Sequence, residues 1–130
     1  MPYFYIQNIE IELVLDLKEA EDEGEDEVLM YPYHGGPNQL WEYKDGMIYS
    51  KHNGLVLDLN VETGNVSTHE AHGGPNQKWH FDEDGTIRSD VEDLVLDISE
   101  GRIEPGTRVI GYSKHGGPNQ IFRMVTVDEE

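Results

Sequence analysis

The sequence predicts an all-β fold, a pseudo-threefold closed barrel of about twelve strands with hairpin caps. Two repeating phrases predict it. The hexapeptide His-Gly-Gly-Pro-Asn-Gln occurs at 34–39, 72–77 and 115–120, each time followed two residues after the glutamine by an aromatic, Trp41, Trp79 or Phe122. A second phrase keeps step with it: Leu-Val-Leu-Asp-Leu at 13–17 and 55–59, and Leu-Val-Leu-Asp-Ile at 94–98. The chain is therefore three copies of one unit of about 40 residues. A unit that short cannot bury an apolar face alone, so the three copies must share a core.

The elements follow from period and punctuation. Helix signals are nearly absent; the one helix-friendly run, 18–27, is broken by Gly24 and carries no apolar stripe. In the first unit strands are expected at 3–7, 13–17, 28–31 and 39–43, with Lys44-Asp45-Gly46 as a tight turn. The second unit offers 47–51, 55–59, 65–68 and 77–81, and the third 86–89, 94–98, 107–112 and 120–125. Leu13, Leu15 and Leu17 alternate with Val14 and Asp16, the period-2 pattern of a strand with one buried face. Trp41, Trp79 and Phe122 fall at equivalent places around the threefold axis as core aromatics. The expected organisation is one domain, 1–130, in repeats of about 1–45, 46–84 and 85–130. Closing the sheet removes exposed strand edges.

Composition bounds the function. A net charge of −18 argues against nucleic acid, whose binding is driven by neutralising phosphates. It also disfavours anionic membranes and polyanionic ligands. Cysteine is absent, so neither disulfides nor thiol chemistry enter. No run approaches the ~20 apolar residues of a membrane span, and the N-terminal stretch lacks the basic flank of a signal peptide. The expectation is a cytoplasmic or non-classically secreted protein, or a module of a longer chain, without membrane insertion.

The triple Gln-x-aromatic, Gln39-Leu40-Trp41, Gln77-Lys78-Trp79 and Gln120-Ile121-Phe122, with Leu-Asp upstream in each unit, resembles the ricin B-chain-like (R-type) β-trefoil lectins. The phrase from Leu-Val-Leu-Asp through His-Gly-Gly-Pro-Asn-Gln is similar to their cysteine-free, galactose-binding members. The resemblance covers essentially the whole chain. It implies a multivalent lectin for galactose or N-acetylgalactosamine, with one shallow pocket per repeat and no cofactor. In such a pocket an aspartate accepts hydrogen bonds from neighbouring sugar hydroxyls and an asparagine lies beside it. A glutamine supports the aspartate from behind, and an aromatic stacks on the sugar's apolar face.

Carried over residue by residue, the third pocket would hold Asp97, Tyr112, Lys114, His115, Asn119 and Gln120. The first would hold Asp16, Tyr31, His34, Asn38 and Gln39. Fifteen residues separate aspartate from tyrosine in both. The second would hold Asp58, His69, His72, Asn76 and Gln77, but only eleven residues lead from Asp58 to His69, which replaces the phenol. The expected ranking is third, first, second, with Asp97 near the surface.

The same residues admit other readings. The Gly-Gly-Pro turns could be scaffold alone, and a trefoil with its sugar sites lost could serve as a protease inhibitor or interaction scaffold. His34, His72 and His115 invite a three-histidine metal site, but hairpins of this kind hold them apart, so no metal is expected. An enzyme is not expected either, since no nucleophile–base grouping stands out and the acids are spread one per unit. The run 19–27 carries seven acids in nine residues, lacks the calcium-loop spacing, and reads as a solvated loop. Lying just before Tyr31, it would wall the first pocket and repel acidic sugars.

Overall fold

The computed structural model describes residues 2–19 and 26–127, which form twelve strands. They are β1 Phe4–Asn8, β2 Val14–Lys18, β3 Glu27–Tyr31, β4 Trp41–Lys44, β5 Met47–Ser50 and β6 Val56–Leu59. They continue as β7 Val66–His69, β8 Trp79–Phe81, β9 Ile87–Ser89, β10 Val95–Ile98, β11 Val109–Tyr112 and β12 Phe122–Thr126. Most of the acidic run, residues 20–25, lies outside the described residues. No described helix is long and apolar enough to cross a membrane.

The fold is a β-trefoil. The ladders form an eight-stranded sheet, β3-β2-β1-β4-β5-β6-β7 with β12 on β1, and a four-stranded sheet, β11-β10-β9-β8. All pairings are antiparallel, and β1 lies against β12 over its whole length, tying the two ends of the chain together. Two backbone bonds bring the sheets close to a closed barrel. Trp79 donates its N–H to Gly46 O (2.9 Å), and Phe122 donates to Gly85 O (2.8 Å). The turn at Asp45-Gly46 has φ of 54° and 79°, the type I′ signature that the Asp-Gly pair predicts.

The hairpins β2–β3, β6–β7 and β10–β11 form the cap. Each joins the barrel through one residue pair, Gln7 with Val14, Tyr49 with Val56 and Arg88 with Val95. They meet each other through bridges between Leu29 and Arg108 and between Asn65 and Ile110. Gly111 sits at this junction, where a Cβ would come within 2.6 Å of Leu59 Cδ1.

The core is built by the repeats in common: Leu15, Leu57 and Leu96 are fully buried, as are Trp41 and Trp79, with Phe122 nearly so. Each indole donates into the leucine strand of its own repeat, Trp41 Nε1 to Leu15 O (3.3 Å) and Trp79 Nε1 to Leu57 O (3.2 Å). Phe122 has no such donor to offer.

Two expectations change. The glutamines do not open strands: Pro37–Gln39, Pro75–Gln77 and Pro118–Gln120 are 3-10 turns, and the strands begin at the aromatics. Proline fixes the entry φ, and the glutamine side chain is taken up by its own turn. Nor is β2 buried on one face only, because Val14, Leu15, Asp16 and Leu17 are all covered. Leu15 and Leu17 face the core, while the 3-10 turn packs over Asp16. The aspartates are accordingly buried, with 6%, 8% and 3% of Asp16, Asp58 and Asp97 exposed.

Candidate functional site

Each hexapeptide is a device for holding one aspartate. Gln39 is fully buried, and its amide makes four hydrogen bonds. Oε1 accepts from the His34 and Gly35 N–H groups (2.8 and 3.2 Å), and Nε2 donates to Asp16 Oδ2 (2.8 Å) and Pro32 O (2.9 Å). An amide offers two donors and two acceptor positions, so this one is saturated. The same four bonds surround Gln77, with Asp58 and Glu70 O as acceptors, and Gln120, with Asp97 and Ser113 O. A saturated, buried amide cannot touch a ligand; it orients the carboxylate.

The glycine pair serves the histidine. Gly35 has φ of 79°, a conformation that disfavours other residues. At Gly36 a Cβ would meet His34 Cε1 at 2.7 Å, so the ring lies directly over the second glycine. The Gly36 N–H donates to His34 Nδ1 (2.9 Å), which places the proton of the neutral ring on Nε2. That Nε2–H faces Asp16 Oδ2 at 3.9 Å. His72 and His115 repeat the arrangement, 3.9 Å from Asp58 and 3.6 Å from Asp97.

Asn38 Nδ2 donates to Asp16 Oδ1 (3.1 Å), and Asn76 does the same to Asp58 (3.1 Å). Asn119 Nδ2 reaches Ile98 O (3.2 Å). A carboxylate has about four acceptor positions. With one oxygen of Asp16 held by Gln39 and the other by Asn38, two positions remain for outside donors. Burial pushes the Asp16 carboxyl up from the ordinary aspartate range, against the lowering pull of Gln39, His34 and Asn38. Asp97 is raised for the same reason, against Gln120, His115 and Asn119.

Open cavities stand over two of the aspartates. One, of about 460 Å³, is lined by Asp16, Tyr31, His34 and Asn38. The other, of about 380 Å³, is lined by Asp97, Tyr112, His115 and Asn119. Tyr31 and Tyr112 are 46% and 55% exposed, with ring faces available, and Tyr112 lies edge-on to His115 at 6.4 Å. Strand register places His69 opposite Val56 as Tyr31 stands opposite Val14 and Tyr112 opposite Val95. His69 Nε2 lies 2.9 Å from Ser67 Oγ. Beyond Asp58 the chain turns back at once, with Gly64 N–H on Asn60 O (2.7 Å). Where the third repeat has the 3-10 turn Ser99–Gly101 as a pocket wall, the second has this tight turn.

Lys114 does not line the third cavity; it is paired with Asp84, thirty residues earlier. Ser99, Glu100, Gly101 and Ile110 do line it, and Glu27, Leu29 and Gly106 line the first. Gly106 belongs to the third repeat, which no motif within the first could reveal. Among the described residues no group of three or more His, Asp or Glu side chains is placed to hold a metal ion.

The sequence profile of the ricin-type β-trefoil lectin domain matches residues 2–122. The chain belongs to that family. No curated protein sequence matches this ricin-type lectin. Among solved structures it is similar to ThreeFoil, a designed threefold-symmetric protein, at 30% identity and a TM-score of 0.82, over 96% of this chain and 99% of that one. It is similar to the C-half of the earthworm R-type lectin, solved with GalNAc, at 28% identity and 0.83, covering 98% and 100%. It also resembles the ricin B-like lectin of Macrolepiota procera, solved with lactose, at 25% identity and 0.74, covering 94% and 93%. Family and neighbours support carbohydrate binding as the role of this ricin-type domain.

Proposed function

We propose that the chain is a multivalent lectin for terminal galactose or N-acetylgalactosamine, acting as one domain with one site per repeat, 1–45, 46–84 and 85–130. The observation that carries the reading is a partly used carboxylate beneath an open cavity with an exposed tyrosine, present in two of the three repeats. Vicinal sugar hydroxyls would donate to Asp16 or Asp97, and charge-assisted bonds of this kind are stronger than neutral ones. The C–H face of the ring would lie on Tyr31 or Tyr112, which lose little entropy on being fixed. The asparagine Oδ1 and the histidine rim complete the polar edge. GalNAc in the earthworm lectin and lactose in the Macrolepiota lectin favour a galactose-type sugar.

Catalysis has no part in this reading. The aspartates serve as acceptors, one to a site. With His69 in place of a tyrosine and a shorter wall, the second site binds more weakly than the other two. Such shallow pockets bind one sugar with a Kd on the order of 0.1–1 mM. Repetition then raises avidity on dense glycans by roughly 10²-fold. Isothermal titration with lactose tests this: two equivalent sites in the parent and one in Tyr112→Ala are expected. An absence of heat in the folded parent would favour an interaction or protease-inhibitor scaffold instead.

A further inference from the structure

One hairpin position distinguishes the three repeats. Four residues before the pocket aromatic stand Glu27, Asn65 and Arg108, so the same place is acidic, neutral and basic in turn. Register confirms the equivalence. Glu27 pairs with Lys18, two residues past Asp16, and the Ser99 N–H, two residues past Asp97, donates to Arg108 O (3.0 Å). In the second repeat the Asn60 N–H donates to Asn65 O (2.8 Å).

Arg108 borders a second cavity of about 540 Å³, which it lines with Ser99, Glu100, Arg102, Glu104 and Thr107. Ser99 and Glu100 also wall the cavity over Asp97, so the two spaces are neighbours. Arg102 is engaged by Glu100 at 3.4 Å, and Glu104 accepts the Ile103 N–H at 3.1 Å. Arg108 differs, since its Nε is buried without a hydrogen-bond partner. The buried Nε is closed to ligand, so a planar oxyanion in the cavity would take the two terminal amino groups of the guanidinium end-on, with two parallel bonds.

We propose that the third site extends across Ser99 and Glu100 into this arginine-lined annex and takes a carboxylate-bearing sugar linked to the galactose-type unit on Asp97. The proposal rests on the galactose reading for the inner pocket only. The annex charges, Arg102 and Arg108 against Glu100 and Glu104, cancel before ligand arrives. A Debye length of about 8 Å at physiological salt screens most of the remaining acidity of the chain. A single carboxylate is thus admitted, where a polyanion is repelled. The first site has Glu27 in this place, with Lys18 opposite it on the cavity wall, so it offers the carboxylate no guanidinium and gains nothing from it.

The test is an amide-resolved NMR titration of the full chain with lactose and, separately, with sialyllactose. Tyr112 reports the third site and Tyr31 the first. Sialyllactose is expected to bind the third site at least about three-fold tighter than lactose and the first site no tighter than lactose. In Arg108→Gln the third-site gain should vanish while lactose affinity stays unchanged, which also shows that the variant is folded. A gain that survives Arg108→Gln, or no gain in the parent, overturns the annex. Lactose silence together with an Arg108-dependent response to free N-acetylneuraminic acid keeps the annex and overturns the galactose reading. Silence to all three overturns both.

Discussion

Gln39 donates its Nε2–H to Asp16 Oδ2 across 2.8 Å, and the same bond of the same length joins Gln77 to Asp58 and Gln120 to Asp97. The motif glutamine is thus bonded at once to its own turn and to a strand about twenty residues earlier. Fold and site share this bond. Losing it should disturb both.

Gln120→Ala should therefore lower stability by about 3 kcal/mol. It strands the His115 and Gly116 N–H groups and leaves a buried carboxylate without its donor. A urea melt followed by tryptophan fluorescence gives the value. A change below ~1 kcal/mol would mean that water replaces the amide without penalty.

Asp97→Ala separates the two effects less cleanly than a surface acid would. Asp97 is 3% exposed, so its removal leaves a Gln120 N–H unmatched and should cost about 1–3 kcal/mol. Third-site binding should disappear at temperatures where the variant is still folded. Calorimetry paired with a thermal melt reads both quantities. Retained third-site affinity would remove Asp97 from the site.

Acidification should act on binding and stability with opposite signs. Asp16 and Asp97 titrate above the ordinary aspartate value of 3.8 because they are buried. A sugar needs the ionised acceptor, so affinity should begin to fall at a pH above that value. For stability, the native state binds these two protons more tightly than the unfolded chain does. Their contribution therefore improves as pH drops through the window between the raised values and 3.8, and is lost again as pH rises. Lactose titrations and melts at matched pH check the pair. Binding that holds until pH falls below 3.8 would contradict the raised acceptors.

Trp79→Ala should cost about 3–5 kcal/mol, as the loss of a fully buried aromatic does. The bond to Leu57 O goes with it. Whatever fraction stays folded should still bind sugar, since Trp79 lines neither cavity. Undiminished melting with lost binding would reverse that assignment.

Much of this was legible because the repeat is local. The hexapeptide, the Leu-Asp phrase and their spacing lie on short stretches, and three copies expose which positions matter. Register aligns His69 with the two tyrosines, at the position its spacing from the motif indicates. What escaped the sequence depends on contacts between stretches. Gln39 looks like the start of a strand until its side chain is seen to close its own turn. Lys114 sits beside His115 in sequence, yet it reaches Asp84 across the fold. The alternation in 13–17 implies one exposed face, and only packing of the turn over Asp16 buries the other. Glu27, Asn65 and Arg108 share no local motif, so their equivalence needs the hairpin register.

Crosslinking of galactose-coated particles tests the central claim most directly. Tyr31 and Tyr112 are exposed and outside the core, so replacing both with alanine spares the fold. The parent and His69→Ala should aggregate the particles, while Tyr31→Ala with Tyr112→Ala should leave them dispersed. Aggregation by the folded, monomeric double variant at parental concentration would contradict the account, because binding would then lie outside the two tyrosine pockets.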